Sequence, residues 1–450
     1  MKNVLVLIAL ITLSGCTLAP SYSTPAVETP GTWTNGATAP SSTIPQNWWE
    51  LYGSPELNAL QTAALANNTD VEAAIQRVNQ ARAQVRIANA TLFPTLDASG
   101  NVGRQLSSGG QPHSNKTTLS TGASVGYEAD LFGGNRANRQ ATEENYRAST
   151  FDKESTNLVV TTDVATNYFT LLSLRQRLQL ATSNLATAQQ VLTITQARFK
   201  AGTLSNLEVT QQQSAVASTQ ASLASLQQQV STTTDALGVL LGKAPGSVVP
   251  SATTLATLAI PQISATQPSA LLTRRPDIQV AEANLKAANA DVGAARAALF
   301  PQLNLSADAA LAFNPTTSAI SVGAGLLAPI FHGGSLLAAV DLSKARKAEL
   351  VANYRKTVLT SFQEVEDALA SVGSADTRLA QLQIAADSAK TAADLSRLKY
   401  NVGSIDFPTL LATQQSQLSA DDALIQARLD QLTASLQLIK ALGGGWLAPR

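Results

Sequence analysis

Cysteine is almost absent from this chain: Cys16 is the single one among 450 residues. No intramolecular disulfide can form and no Cys-ligated metal site can be assembled, which excludes disulfide scaffolds, zinc modules and iron–sulfur domains. Histidine is nearly as scarce. His113 and His332 lie far apart and read as loop residues rather than a ligand pair, so no metal site is expected. With one Met in the chain, soft thioether relays for copper or silver are disfavoured too. Charge is low and balanced: 14% of residues are charged, 31 acidic against 31 basic, for a net charge of zero. Without a polybasic block, nucleic acid is not an expected partner. Beyond residue 15 no run of about twenty apolar residues occurs, so no transmembrane helix is expected. β-Strands carry a much weaker signal, and a crossing by strands stays open. Ser, Thr and Asp never fall in a nucleophile motif, and the glycine pairs read as turns rather than phosphate cradles. No catalytic residue and no cofactor are expected, and the chain does not read as an enzyme.

What is present begins at the N-terminus. Lys2 gives a positive start, Val4 to Leu13 form a short apolar stretch, and Ser14 and Gly15 are small. That is the plan of a secretory signal peptide over residues 1–15, too short to span a bilayer as a mature helix. Leu13-Ser14-Gly15-Cys16 also resembles the bacterial lipobox, in which cleavage falls before a cysteine whose sulfur takes a diacylglycerol. Cys16 is the expected lipidation site, against an ordinary signal peptide with an incidental cysteine. Thr17 in place of an aspartate points to the outer rather than the inner membrane.

The middle of the chain repeats itself. ANATLFPTLDAS (88–99) matches ARAALFPQLNLS (295–306), DLFGG (130–134) echoes PIFHGG (329–334), and ARFKAGTLSNLEV (197–209) echoes RLKYNVGSIDFPTL (397–410). The order is the same in both halves. The expected organisation is an N-terminal anchor and extended segment over 16–69, a first repeat over 70–244, a Pro-rich connector over 245–276, a second repeat over 277–442 and a tail over 443–450. Each repeat reads as short helix, hairpin, very long helix, turn, long helix. Asp70 and Asp277 are expected N-caps, and Phe93-Pro94 and Phe300-Pro301 end the helices that follow. Neither Gly nor Pro occurs between Gly134 and Gly202. Those residues predict a rod of about 100 Å at 1.5 Å per residue. Ser335 to Val402 predicts a second of nearly equal length, with Gly373 its one weak point. Return helices are expected over Leu204–Leu241 and Ile405–Leu442.

Residues 97–105 and 117–132 change to period two, with Leu119, Thr121, Ala123, Val125, Tyr127, Ala129 and Leu131 on one face. Leu303–Phe313 and Ile320–Phe331 do the same. Strands of about ten residues with small or polar alternates suit a membrane barrel, and on alternation alone they suit a soluble sandwich equally. Four strands cannot close, since small barrels need about eight. A barrel reading requires oligomerisation, and three chains give twelve strands.

With LSGC at the start, NWWELYGSPELNAL (47–60), the paired FP motifs, TRRPDI (273–278), the two turns and the terminal ALGGGW (441–446), the chain resembles an outer membrane factor of the TolC type. Within that family it resembles the lipoprotein branch that serves resistance-nodulation-division efflux pumps in Gram-negative bacteria. The resemblance covers nearly the whole mature chain. It implies a mainly α fold with a β-barrel portion: a homotrimer whose 12-stranded barrel in the outer membrane continues into a periplasmic α-helical barrel. It also implies docking to a periplasmic adaptor and, through it, an inner-membrane pump, with small toxic compounds conducted passively outward. Alternatives are a type I secretion or metal-efflux duct, a lipid-anchored coiled-coil spacer or adhesin, and a periplasmic esterase or other enzyme.

At the turns, the matching adaptor-docking positions are Gly202, Thr203, Leu204 and Ser205 with Val402, Gly403, Ser404 and Ile405. Related channels carry an aspartate ring and a basic latch just inside this mouth. Here the segment is GSIDFPTLLATQQ (403–415), with Ala412 where the aspartate would stand and Gln415 where an arginine can occur. Asp406 is the nearest acidic substitute, and Tyr400 and Glu208 occupy family positions that can hydrogen-bond between neighbouring coils. These three are the gate candidates; Tyr400 and Glu208 read equally as a core aromatic and a solvated carboxylate. RRPD (274–277) has two readings: Pro276 and Asp277 suit a helix start with Arg274 and Arg275 simply solvated, or, as the resemblance implies, the motif helps fix the second repeat near the equator of the helical barrel; either way a structural role is expected rather than a site.

Overall fold

The computed structural model describes residues 18–35, 44–105, 116–247, 253–313 and 316–447. Cys16, Thr17 and His113 lie outside them. The chain forms two compact units. One comprises Ile75–Asp152, Asp277–Thr357 and the N-terminal segment up to Val27; the other comprises Glu28–Ala74, Lys153–Pro276 and Val358–Arg450.

The duplication is visible element by element. After a short helix α1 (Pro55–Asn67), the first repeat runs α2 (Thr69–Ala90), β1 (Thr95–Gln105), β2 (Lys116–Ala129), α3 (Gly134–Lys200) and α4 (Asn206–Leu240). The second runs α5 (Pro276–Ala297), β3 (Gln302–Phe313), β4 (Thr317–Leu327), α6 (Ser335–Asn401) and α7 (Phe407–Ala441). Corresponding helices have equal lengths: 22 residues for α2 and α5, 67 for α3 and α6, 35 for α4 and α7. The duplicated spacing of the turn signals that bound each helix produces this equality.

Several boundaries differ from the sequence expectation. Helix α2 is capped by Asn68, whose Oδ1 accepts from the N–H of Asp70 (2.9 Å) and of Val71 (3.2 Å), so Asp70 sits in the first turn. Asp277 likewise follows Pro276 inside the first turn of α5. Both carboxylates remain where a helix favours negative charge. Helices α2 and α5 stop short of Leu92 and Leu299 because the last turn tightens, with the Phe93 N–H donating to Ala90 O and the Phe300 N–H to Ala297 O. Proline then forces each Phe into extended geometry. Strand β2 ends at Ala129 rather than 132, because Asp130 leaves the ladder to accept from the N–H groups of Asn135 and Arg136 at the start of α3. Strand β4 ends at Leu327 rather than 331, ahead of Pro329, which has no N–H for the ladder.

The first unit holds the sheet. Its order is β1-β2-β3-β4, all antiparallel, with β2 and β3 joining the two repeats. The register puts Leu96, Val102, Leu119, Val125 and Tyr127 on the same face as Leu303, Leu305, Ile320, Val322 and Leu326. The opposite face carries Ser99, Asn101, Ser120, Ser124, Asn304, Asp308, Ser321 and several glycines. The apolar face is bare, with Ile320 84% and Val322 82% exposed. Among the described residues nothing covers it as the second sheet of a sandwich would.

The second unit has the larger core, built on Trp48, Tyr52, Phe169, Leu172, Leu432 and Ile439. Connector residues Leu255 and Leu258 are part of it, and Ala259 N–H donates to Tyr52 O. Arg275 is not in solvent: it is 8% exposed, ion-paired to Glu364 (2.7 Å) and donating to Ala441 O (3.0 Å). The RRPD motif thus ties the start of the second repeat to its last helix.

Candidate functional site

In the second unit, α3 reverses into α4 and α6 into α7 through two turns of the same construction. At the first, Gly202 has φ 74°, its N–H donates to Phe199 O, and Thr203 N–H donates to Arg198 O. At the second, Gly403 has φ 76°, with Gly403 N–H to Tyr400 O and Ser404 N–H to Lys399 O. Left-handed φ favours glycine and closes each helix by satisfying its last carbonyls. Around these glycines Thr203, Ser205, Val402 and Ser404 are exposed, whereas Leu204 and Ile405 are half-buried. The expected docking surface is therefore polar with one large apolar element, Val402, at 77% exposure.

The gate candidates each have a local partner. The Ser205 hydroxyl accepts from Leu207 N–H, while the Glu208 carboxylate accepts from Ser205 N–H (3.1 Å) and from its hydroxyl, a reciprocal cap. The Asp406 Oδ1 accepts from Thr409 N–H (3.1 Å) and caps α7. These hydrogen bonds, from Thr409 to Asp406 and from Ser205 to Glu208, hold both carboxyls below their ordinary ranges. Tyr400 is buried, with its ring edge-on to Phe407 (6.0 Å) and the Arg198 guanidinium 5.0 Å from its centroid. Tyr400, Phe407 and Leu410 form a small core with Val191 of α3. Tyr400 thus meets Arg198, not Glu208, and joins the first helical hairpin to the second.

Further along α3, sequence reasoning missed a second such link. Arg177 grips Asp422 of α7 through Nε (2.6 Å) and Nη2 (3.1 Å). Between the two links lies a polar cavity of about 880 Å³, with Gln212, Asp394, Arg397 and Gln415 in its wall. Gln212 is 1% exposed; its Nε2 donates to Ala188 O (2.8 Å), and its Oε1 has no partner among the described residues. No periodic signal marks Arg177 or Asp422, since their pairing depends on how the repeats face each other.

A long duplicated helical scaffold, one shared antiparallel sheet and matched reversing turns now stand together. The outer membrane efflux protein family matches residues 60–243 and 267–444, both repeats. This chain belongs to that family. The efflux protein is 38% identical to the pyoverdine export outer membrane protein OpmQ of Pseudomonas aeruginosa, over 100% of this chain and 98% of that one. It is 34% identical to the toluene efflux pump outer membrane protein TtgC of Pseudomonas putida, over 96% and 93% respectively. Its structure resembles that of the open MtrE outer membrane channel of Neisseria gonorrhoeae, with a TM-score of 0.86, 29% identity and coverage of 96% and 98%. Function follows from membership: the protein is an outer membrane efflux channel. Among the described residues of the efflux protein, no group of His, Cys, Asp and Glu could hold a metal, and no helix is long and apolar enough to cross a membrane. The membrane-compatible surface is the bare apolar face of the sheet.

Proposed function

We propose that the efflux protein is the homotrimeric exit duct of a tripartite pump, passively carrying drugs or other small toxic compounds past the outer membrane. The observation that carries this reading is the four-stranded sheet with apolar and polar faces and two free edges, β1 and β4. Free edges in a bilayer leave N–H and C=O groups unsatisfied, and a closed barrel is the form that removes them. Three copies supply twelve strands with the apolar faces outward and a serine- and glycine-rich lumen. The turns at Gly202 and Gly403, with their exposed Thr203, Ser205, Val402 and Ser404, then meet a periplasmic adaptor, which connects to an inner-membrane pump. Asp406, and more remotely Glu208 and Tyr400, would govern the mouth beside these turns. Relatives named for cargoes as different as pyoverdine and toluene support a duct in which cargo is chosen by the pump rather than by the channel. Acylation of Cys16 would add a lipid anchor to the strands, contributing modest affinity of its own.

The test is conductance in planar bilayers together with native mass spectrometry in detergent. Discrete channels from a trimer are expected. A stable monomer that retains its strand signal and gives no channels would overturn the reading. Mass spectrometry of the mature N-terminus tests the anchor; a start other than Cys16, or an unmodified thiol, would remove it.

A further inference from the structure

The seam between the two repeats is the pattern for a joint that a single chain leaves unmade. Strand β2 of the first repeat pairs with β3 of the second, and beyond its root Phe132 stacks on Phe300, with ring centroids 4.7 Å apart and planes 23° from parallel. Each ring has a counterpart in the other repeat. Phe93-Pro94 precedes β1 as Phe300-Pro301 precedes β3, and Phe331 precedes Gly333-Gly334 as Phe132 precedes Gly133-Gly134, with His332 added. These counterparts are not covered: Phe331 is 87% exposed and Phe93 67%. One follows β4 and the other leads into β1, the two free edges of the sheet.

The duplication also carries a register. In the matching segments 88–99 and 295–306, Thr95 corresponds to Gln302 and Ser99 to Ser306. Thr95 pairs with Gly126 and Gln302 with Leu327, so Gly126 and Leu327 are equivalent positions. Between the repeats, Gly126 pairs with Ser306. The same joint made by β4 and a β1 strand therefore sets Leu327 opposite Ser99, Gly325 opposite Asn101 and Ala324 opposite Val102. The faces agree across this joint, although nothing in the alignment imposes it. Ala324 and Val102 both belong to the apolar face, and Gly325 and Asn101 both to the polar one. A slip of one residue would set each face against the other.

We infer that β4 of one chain pairs antiparallel with β1 of a second copy in this register, with Phe331 packed on Phe93 of that copy at the root of the seam. Such a joint is heterologous, one edge meeting the other, and it closes into a ring when its rotation allows. Stacked rings there add to the strand pairing as Phe132 and Phe300 do within the chain. The inference rests on the trimer proposed above and adds which residues meet in it.

Disulfide trapping in the full-length protein reads the register directly. Paired Cα atoms lie about 5 Å apart, within reach of a disulfide, and a slip of two residues lengthens this to about 8 Å, beyond it. Within one chain β1 and β4 are three strand spacings apart, about 14 Å, so only a second copy can complete the bond. Gly325→Cys with Asn101→Cys should yield disulfide-linked dimers and trimers in outer membrane fractions, about tenfold more than Gly325→Cys with Ser99→Cys or with Gly103→Cys. Peptide mass spectrometry of the linked product identifies the two cysteines and sets aside any bond through Cys16. Should Gly325→Cys fail to fold, Leu327→Cys with Ser99→Cys reports the same register. Linkage favouring a slipped pair, or a trimer by native mass spectrometry in which no pair links, would overturn the register and leave the trimer standing. A monomer with no linked pair would overturn both. Phe331→Ala and Phe93→Ala should each lower the temperature at which the trimer dissociates in detergent, and together no further than the larger single loss. Additive losses would overturn the ring contact.

Discussion

Asp406 shows how one carboxylate can carry two roles that a substitution separates. It caps α7 through Thr409 N–H, and it is the acidic group beside the second turn. Asparagine caps as well as aspartate, and alanine does not. Asp406→Asn should therefore leave the tip folded and remove only charge. If three carboxylates face the mouth, this change reduces cation preference in single-channel recordings, most clearly at low salt. Unchanged selectivity would assign Asp406 to capping alone. Asp406→Ala should in addition loosen the first turn of α7, seen as faster amide exchange. Acid should do the same. The Asp406 and Glu208 carboxyls are held below their ordinary 3.8 and 4.5 by hydrogen bonds to the ionised form. Their contribution is complete above those values and is lost as pH falls through the lowered ones. Amide exchange at Ser205 and Thr409, the N–H groups that donate to these two carboxylates, should rise below about pH 4 when corrected for intrinsic rates, and Asp406→Asn should abolish the rise at Thr409 only. A flat profile would show that the caps contribute nothing to tip order. At this scale the sequence was a partial guide. The left-handed glycines were readable because a turn between antiparallel helices demands them. The choice of Asn68 over Asp70 as cap was not, because both are good capping residues and the choice depends on where the chain arrives.

Among elements, the long helices were the most legible part of the molecule, since intervals free of Gly and Pro leave a helix no place to stop. The one exception within the two 67-residue helices is informative. Gly373 lies inside α6, and an added Cβ there meets nothing within 4 Å. Gly373→Ala should stabilise the chain by about 0.5–1 kcal/mol, measured as a raised Tm. Gly403→Ala should destabilise it by about 1 kcal/mol, although there too nothing lies within 4 Å, because the cost is the left-handed backbone itself. A rise in both would mean that the turn is not held at φ 76°. How the two hairpins are joined was illegible, because periodicity gives the buried face of a helix and not its partner. The Arg177–Asp422 pair is half-exposed, with side-chain exposures of 25% and 44%, and bidentate geometry favours it over a simple surface pair. A double-mutant cycle with Arg177→Ala and Asp422→Ala should give a coupling of about 1 kcal/mol. A coupling near zero would leave the Tyr400–Arg198 contact and the shared apolar core as the links between hairpins.

The whole molecule poses the question that a single chain cannot answer, which is what covers its sheet. Alternation announced the strands but left the occupant of each face open, and the register adds that the large apolar alternates gather on one side. Adjacent residues of β4 now make opposite predictions. Val322 is on the apolar face, paired with Ala307, and Ser321 is on the polar face, paired with Asp308. In a barrel, Val322→Lys puts a cation against lipid, at a cost of about 2–4 kcal/mol per chain near the bilayer midplane and less towards either interface. Trimerisation multiplies that cost threefold. Ser321→Lys instead points into water, opposite Asp308, whose Oδ2 already accepts from the Ser321 hydroxyl (3.4 Å). The first change should abolish or sharply lower the yield of trimer in outer membrane fractions. The second should preserve the trimer and shift its selectivity towards anions, since three added cations line one aqueous lumen. Equal tolerance of both would mean that neither face meets lipid, and the four strands would then need another explanation than a barrel shared by three chains.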